Sequence, residues 1–308
     1  MFNKKIYLFL QQKYLKVKIA IYSRITGNEP DPVVKSLMEQ LEKSEIETYV
    51  HEDFLESLRP CLNHKNEYKT FTKDTDLKDK VDYFLSIGGD GTMLDTLQFV
   101  RDSGIPVLGI NTGRLGFLAS VSRENVCMAI ESLEKGHFSI DKRGLLRLET
   151  NIDLFGEVNY GLNDLTIHKM ETSSMMNIHT YLNGEYLNTY WADGLIIATP
   201  TGSTGYSLSC GGPIMMPQSE NFAITPIAPH NLNVRPIVVS DKSVITLEIE
   251  GRSQYFMASL DSRSERIEST VQLAIRKESF YINLIRLSNE NFLKTLREKL
   301  NWGKDSRN

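Results

Sequence analysis

The chain has 308 residues, a formal net charge of −4, and a composition that is 41% hydrophobic and 24% charged. These values are typical of a soluble globular protein with room for two domains. The acidic balance argues against a nucleic-acid-binding protein, which usually carries a basic face. No segment approaches the ~20 apolar residues that span a bilayer, so we also expect no membrane association.

The cysteines and histidines point to the same class of protein. Cys61, Cys127 and Cys210 are far apart and odd in number, with neither a disulfide framework nor metal-ligand spacing. We therefore expect a reducing, cytoplasmic location and no metal site built from protein ligands alone. The apolar run IYLFL near the start is too short for a signal peptide, and residues 1–15 are expected to be an extension before the fold.

The first part of the chain alternates predicted strands with predicted helices. Pro32 suits the first turn of a helix that Asp31 would cap, and residues 58–76 are polar and patternless, which predicts a loop. The alternation predicts an α/β domain with a mostly parallel sheet. The predicted strands are 17–23, 46–50, 81–87 and 105–110, and the predicted helices are 31–43 and 123–135.

After Gly136 the pattern changes to successive strand-like runs, which predict an all-β, sandwich-like C-terminal domain. Asn183-Gly184 is typical of a hairpin turn, and residues 289–299 predict a closing helix. The expected domains are 1–138 (α/β), 139–288 (β-rich) and 289–308, a helix and tail packing on the N-terminal domain.

The sequence SIGGDGTMLDT places Asp90 between glycines, after a predicted strand and before a predicted helix. Ligands bind at such strand ends in open α/β sheets, and glycines let backbone N–H groups approach a phosphate. Glycine turns alone are common after strands. A carboxylate beside a phosphate, however, is unfavourable unless it binds a cation or accepts a proton.

Two further segments suggest a nucleotide site. The run TPTGSTGYS within residues 193–213 offers hydroxyls, backbone donors and the ring of Tyr206, although a solvated polar turn is the ordinary alternative. Asn163-Asp164 is most often a turn as well. An amide next to a carboxylate can instead hydrogen-bond ribose hydroxyls or an adenine edge.

In this order, GGDGT (88–92), NTGRLGFLA (111–119), LND (162–164), the long motif at 193–213 and PHNLNVRPIVV (229–239) resemble the NAD kinase family over roughly residues 17–287. The resemblance implies ATP-dependent phosphorylation of the adenosine ribose 2′-hydroxyl of NAD, with Mg²⁺ accompanying ATP. It also implies a homotetramer or homodimer, and inorganic polyphosphate as a possible alternative donor.

The resemblance makes Asp90 the general base and implies a set of residues that bind NAD or ATP. Within that set, Gly91 and its neighbours contact phosphates and Phe117 contacts adenine. The set is Gly88, Gly89, Gly91, Thr92, Phe117, Asn163, Asp164, Ser174, Asp193, Thr201, Thr204, Gly205, Tyr206, Ser207, Leu208, Ser209, Ala228 and Arg263.

Four residues depart from the family's pattern. Asp164 replaces a glutamate, Gly205 replaces an alanine, and Asp95 adds negative charge beside the expected phosphate site. Arg263 stands where a neutral or histidine side chain is expected, and could pair with phosphate or with Asp90. None of the four removes a group that the reaction needs.

Two rival functions share part of the pattern. A lipid kinase of the diacylglycerol type also carries GGDGT, but it has no use for the TPTGSTGYS segment. A non-catalytic NAD sensor would keep the pocket without turnover, and the retention of Asp90 argues against it.

Overall fold

The computed structural model describes residues 16–24, 32–44, 46–60, 68–113, 116–171, 175–288 and 291–301. The described residues form two compact units. The α/β unit comprises those up to Asp141 together with those from Leu284 onward, and the β-rich unit comprises Lys142–Asn283. The domain limits expected from the sequence stay a prediction, because compactness does not show which part folds alone. Residues 1–15 and Asp31 lie outside the described residues.

The helices and strands follow the order expected from the sequence, with additions. In chain order they are β1 (Lys18–Ser23), α1 (Pro32–Lys43), β2 (Glu47–His51), α2 (Glu52–Leu58), β3 (Lys69–Phe71), β4 (Tyr83–Ile87), α3 (Asp90–Asp95), α4 (Leu97–Val100), β5 (Val107–Ile110), α5 (Val126–Lys135), β6 (Ser139–Thr150), β7 (Tyr160–Gly161), β8 (Asp164–Lys169), β9 (Met176–Leu182), β10 (Glu185–Ala192), β11 (Gly194–Ala198), α6 (Tyr206–Ser209), β12 (Asn221–Ile227), β13 (Ile237–Ser240), β14 (Ile245–Gly251), β15 (Tyr255–Leu260), β16 (Arg263–Glu268), β17 (Leu273–Arg286) and α7 (Phe292–Leu300).

The sheet of the α/β unit is parallel, in the order β5-β4-β1-β2-β3. The last residues of β17 join it beside β5, where Leu284 is paired with Val107 in the parallel direction. The prediction of a mostly parallel sheet is confirmed. Its strand ends therefore lie along one edge, which is where the turn after β4 is found.

Both faces of this sheet are covered by apolar side chains. On one face, Leu37 and Leu41 of α1 and Ile130 of α5 pack with Ile19 and Leu85 of the strands. On the other face lies a cluster of aromatic rings contributed by Tyr22, His51, Phe71, Phe84 and Phe99. Two buried faces explain why the strands are apolar runs without alternation.

The prediction that residues 58–76 form a loop was wrong in part, and residues 61–67 of that range lie outside the described part of the chain. The structure has the three-residue strand β3 there and a 3₁₀ turn at Asp74–Asp76, and the sequence also gave no sign of α2. A three-residue strand shows no periodicity, but Phe71 at its end is 1% exposed in the aromatic cluster. Its burial and its pairing with β2 fix the strand.

The β-rich unit is an antiparallel sandwich, as predicted. One sheet has the order β13-β12-β11-β8-β15-β16, and the other joins β10, β9, β14 and β17, with β6 beside β17 and β7 beside β6. Leu165, Leu195 and Phe256 of the first sheet share a core with Ile178 and Leu247 of the second. The hairpin at Asn183-Gly184 is confirmed, with φ of 53° and 83° at the two turn residues.

The closing helix is confirmed as α7. It begins after Asn291, whose side chain accepts a hydrogen bond from the backbone N–H of Lys294 at 2.7 Å, and it ends at Asn301 in the left-handed conformation. Residues 289–290 of the predicted helix lie outside the described part of the chain. Among the helices that the structure describes, none has both the length and the apolarity needed to cross a membrane.

Candidate functional site

The turn after β4 carries the acidic residue singled out by the sequence. Gly88 and Gly89 connect β4 to α3, whose first residue is Asp90. Gly91 follows it within the helix, and Thr92 is buried with 6% of its surface exposed. The acid therefore stands at the carboxyl end of a central parallel strand, as predicted.

Three backbone N–H groups hold the carboxylate of Asp90. Phe117 donates to Oδ2 at 2.8 Å, while Leu118 and Ala119 donate to Oδ1 at 3.0 and 3.1 Å. A Cβ on Gly116 would lie 1.9 Å from Oδ1, so only glycine allows the loop to approach the acid this closely. We call residues 116–119 the amide loop. It fixes the direction of the carboxylate and leaves the acid accessible, with 28% of its side chain exposed.

The ring of Phe117 packs against the C-terminal helix. Its centroid lies 6.0 Å from that of Phe292 and 4.7 Å from the ammonium of Lys299, and Phe117 is only 9% exposed. Arg286 donates to the backbone oxygen of Phe117 at 3.2 Å. Lys299 also lies 3.5 Å from Oδ2 of Asp90, a contact that no sequence pattern indicated.

The negative charge of Asp95, which the sequence suggested would be unfavourable beside a phosphate, is paired with Arg24. Arg24 donates to the carboxylate of Asp95 through Nε and Nη2, with Nη2 at 2.6 Å from Oδ1, and Tyr22 donates to it at 3.3 Å. Burial, and then Asp95, raise the pKa of Tyr22 to about 12, so the hydroxyl keeps its proton. A Cβ on Gly91 would lie 3.2 Å from Nη1 of Arg24. A cation therefore lies beside this turn, and it was missed because β1 is distant in sequence.

In the β-rich unit, Asn163 and Asp164 are held by a second acid. The carboxylate of Asp261 accepts backbone N–H groups from Leu162 at 2.8 Å, from Asn163 at 2.7 Å and from Asp164 at 3.1 Å. Asp164 is the first residue of β8, so the expected turn ends where the strand begins. Asp261 was missed, since an aspartate between two strands is an ordinary turn residue.

The segment 199–205 packs directly on Asn163. The backbone N–H of Thr199 donates to the Asn163 oxygen at 2.9 Å, and the Thr199 hydroxyl donates to the Leu162 oxygen at 2.5 Å. A Cβ on Gly202 would lie 2.0 Å from that Asn163 oxygen, and one on Gly205 would lie 3.9 Å from the Asn163 amide nitrogen. The two nucleotide-binding candidates of this unit are therefore adjacent.

Two hydroxyl groups of this segment serve the fold. Thr201 accepts a hydrogen bond from the buried guanidinium of Arg143 at 3.1 Å, and Ser207 bonds Thr225 at 2.9 Å while fully buried. Both hydroxyl groups thus have a hydrogen-bond partner within the protein.

The next residues along the same segment reach the surface. Thr204, Gly205 and Leu208 are partly exposed, and Tyr206 and Ser209 are exposed. Burial is the first cause that raises the pKa of the Tyr206 phenol, and Cys210 is the second. With 48% of its surface accessible, the Tyr206 ring is available to stack on a flat ligand.

The remaining candidates of the β-rich unit are more scattered. Asp193 pairs with Lys169 at 2.6 Å, and Ala228, directly after β12, is exposed with a left-handed φ of 42°. Ser174 lies outside the described residues.

The Arg263 side chain makes hydrogen bonds within the β-rich unit. Its guanidinium donates to the backbone oxygens of Val158 and, at 2.8 Å, of Tyr160, and it lies over the ring of Phe155. These bonds connect β16 to β7 and to the residues just before it. The phosphate contact or pairing with Asp90 that the sequence suggested stays a prediction.

The buried acids of the β-rich unit form a closely coupled pair. Burial is the main cause that raises the pKa of Asp164 to about 7; the neighbouring charge of Asp261 also raises it, and the hydrogen bond from Thr166 at 3.0 Å opposes the shift. Burial raises the pKa of Asp261 too, against the three backbone amides that stabilise its charge. Near neutral pH the pair therefore shares less than two negative charges.

Models of two protein families match this chain. The ATP-NAD kinase N-terminal domain matches residues 9–138, and the ATP-NAD kinase C-terminal domain matches residues 162–287. The NAD kinase of Cytophaga hutchinsonii is 49% identical over 290 residues, covering 94% of this chain and 99% of that protein. The NAD kinase of Flavobacterium johnsoniae is 46% identical over 294 residues, covering 95% of this chain and all of that protein.

Solved structures share the fold. An NAD kinase from Archaeoglobus fulgidus in complex with ATP aligns with a TM-score of 0.70 and 25% identity, covering 92% of this chain and 99% of that one. Yeast NADH kinase complexed with NADH aligns with a TM-score of 0.84, covering 94% and 89% of the two chains. Because the sequence identity is 21%, the similarity to this second structure shows only a shared fold.

The Asp164–Asp261 pair predicts how stability changes with pH. An unfolded Asp164 titrates near ~3.9, whereas the folded one titrates at about 7, so the native state binds the extra proton between these values. This contribution to stability is present at low pH and is lost as pH rises through the folded pKa. Asp164→Asn, which resembles the neutral acid, should therefore gain stability relative to the parent between pH ~5 and pH ~8 in urea unfolding.

Asp153→Asn, at an exposed position of the same unit, is the control. Its stability should equal that of the parent at both pH ~5 and pH ~8. A difference between parent and Asp164→Asn that does not change with pH would contradict the raised pKa.

Proposed function

The chain belongs to the NAD kinase family and is a phosphotransferase with an alcohol group as acceptor, and we propose that it phosphorylates the adenosine ribose 2′-hydroxyl of NAD with ATP, giving NADP. The observation that carries the proposed chemistry is the carboxylate of Asp90, oriented by three backbone N–H groups at the end of β4. Such a group can accept a proton in a fixed direction while solvent and substrate still reach it.

The proposed step moves one phosphoryl group and one proton. The 2′-oxygen forms a bond to the γ-phosphorus, and the bond from that phosphorus to the bridging oxygen breaks. ADP leaves with the electron pair, and the hydroxyl proton passes to Asp90. A positioned base contributes about 10²–10⁴-fold to such a reaction, and the remainder comes from orientation and charge neutralisation.

We propose that segments of each unit bind the two nucleotides. In the α/β unit, Gly88, Gly89, Gly91 and Thr92 would contact phosphates through the turn after β4, and Phe117 would contact adenine. In the β-rich unit, these residues would hold the dinucleotide: Asn163, Asp164, Asp193, Thr204, Gly205, Tyr206, Leu208, Ser209 and Ala228. Thr201 and Ser207 would support that surface through their buried hydrogen bonds.

Magnesium enters the proposal with ATP. Within the described part of the chain, no group of three or more His, Cys, Asp or Glu side chains could hold a metal ion. The metal would be held by triphosphate oxygens and water, and it would neutralise phosphate charge. Inorganic polyphosphate, which carries the same phosphoanhydride bond, is the alternative donor.

We further propose a cytoplasmic homo-oligomer, a tetramer or a dimer. Cys127 and Cys210 are free thiols, in keeping with a reducing compartment. The β-rich unit exposes large apolar side chains, including Trp191, Leu232 and Val238, with Leu232 85% exposed. Apolar side chains left in solvent favour burial against a second copy.

The role of Asp90 predicts a loss of turnover without a loss of dinucleotide binding. Asp90→Asn keeps the shape of the side chain but removes the proton acceptor, so kcat should fall by about 10²-fold or more. The Kd for NAD should stay within about tenfold, because the base acts on the transition state. The measurement is a coupled assay with NAD, ATP and Mg²⁺, read by an NADP-specific dehydrogenase, with calorimetry for NAD.

Asp102→Asn is the matched control, because it removes an exposed carboxylate from the same unit, and it should keep parental turnover. Turnover at the parental rate in Asp90→Asn would contradict the assignment of the base. NAD binding without NADP formation by the parent, with either ATP or polyphosphate, would instead support the sensor.

The exposed ring of Tyr206 predicts a contribution to dinucleotide affinity. Tyr206→Ala should weaken NAD binding by about 1–2 kcal/mol through the loss of ring contact, whereas Tyr206→Phe should stay close to the parent. Calorimetric titration with NAD provides both values. An unchanged Kd in the alanine variant would show that the ring contributes nothing to binding.

The proposed oligomer predicts a sedimentation coefficient above that of the monomer. Sedimentation velocity at micromolar concentration should give a tetramer or a dimer, and Leu232→Asp should shift the distribution toward the monomer by placing a charge on the apolar surface. A parent protein that sediments as a monomer would rule out the proposed assembly under these conditions.

A further inference from the structure

The C-terminal helix α7 rests on the loop that holds the proposed base. Phe292 and Lys299 are seven residues apart, so they lie on the same side of the helix. Both approach the ring of Phe117, at 6.0 Å between ring centroids and 4.7 Å from the ammonium to the centroid. Leu296, between them, is the buried residue of the helix. One face of α7 is thus directed to the amide loop.

Lys299 brings a positive charge to Asp90. Its ammonium nitrogen lies 3.5 Å from Oδ2, the oxygen that also accepts the backbone N–H of Phe117. Among the described residues, it is the one cation in an ion pair with this carboxylate. Arg24, the nearby cation at Gly91, is bonded through Nε and Nη2 to Asp95. The negative charge of the proposed base is therefore balanced by a residue of the C-terminal helix.

A carboxylate base needs such a charge when its co-substrate is a triphosphate. The amide loop orients Asp90 with neutral donors and leaves its negative charge in place. A triphosphate brings further negative charge to the same turn, and like charges at short range in a partly buried site repel strongly. Lys299 can compensate that repulsion, and its position in the last turn of α7 suits a cation.

We propose that Lys299 is a positioning residue of the phosphoryl-transfer site: it holds Oδ2 of Asp90 toward the acceptor and neutralises the acid so that a triphosphate can bind beside it. This assignment rests on the proposed kinase function. It makes the C-terminal helix part of the active site, whereas a merely structural helix would contribute only the apolar contacts of Phe292 and Leu296.

The test compares charge with shape at position 299. Lys299→Met keeps an unbranched apolar stem over Phe117 and removes the charge, and Lys299→Arg keeps the charge. We expect Lys299→Met to lower kcat about tenfold and to raise the KM for ATP about tenfold, while the Kd for NAD changes less than about twofold. Lys299→Arg should recover most of both losses.

Lys294→Met is the matched control, since it removes an exposed lysine from the same helix and should leave both constants unchanged. Urea unfolding of all the variants checks that they fold. Parental kcat and KM for ATP in a folded Lys299→Met would overturn the proposal. Equal losses in the Met and Arg variants would overturn it as well, because they would show that shape and not charge matters.

Calorimetric titration with adenylyl imidodiphosphate separates this proposal from the kinase reaction, since binding of this analogue needs no turnover. If only Lys299→Met loses affinity for the analogue, the charge assignment is supported. If the parent at the same time forms no NADP, the kinase reaction is contradicted. NADP formation by the parent with equal affinity in all variants would support the reaction and overturn the role of Lys299. A parent that does not bind the analogue would overturn both the role of Lys299 and ATP as the donor.

Discussion

The hydrogen bonds from three consecutive backbone N–H groups to the carboxylate of Asp90 constrain everything around the turn after β4. Bonds to Oδ1 and Oδ2 together define both the position and the plane of the carboxylate. They require glycine at 116 because any Cβ would overlap the acid. They also bring Phe117 to the surface on which α7 packs. One side chain thus determines a loop, and the loop determines where the C-terminal helix lies.

The β-rich unit uses the same arrangement for a different purpose. Asp261 accepts three consecutive backbone N–H groups and so fixes Asn163 and Asp164, just as Asp90 is fixed by the amide loop. The difference is burial: Asp90 remains accessible, whereas burial raises the pKa of both Asp261 and Asp164. An accessible acid held by amides is available for proton transfer. The buried Asp261, which is held in this way, fixes the backbone of residues 162–164.

The sequence predicted the parts of this protein that depend on local patterns. Apolar runs gave β1 and β4, helical spacing gave α1 and α5, and GGDGT placed Asp90 at a strand end. β3 was missed because three residues show no periodicity, and its stability comes from Phe71 in an aromatic cluster. The partners of the site were missed for a related reason. Arg24, Asp261 and Lys299 reach their targets from distant segments, and a lone charged residue carries no sign of its partner.

The same reasoning explains why charges that look unfavourable in the sequence are harmless in the fold. Asp95 adds a negative charge next to the proposed phosphate site, yet Arg24 pairs with it and Tyr22 donates to it. Arg263 looks like a free cation but is bonded to backbone oxygens between two segments. Electrostatic interactions at short range depend on which groups are in contact, and contact is set by the fold. The charge that acts at the turn after β4 is therefore the difference left after these pairings, and the ion pair of Lys299 with Asp90 is one of them.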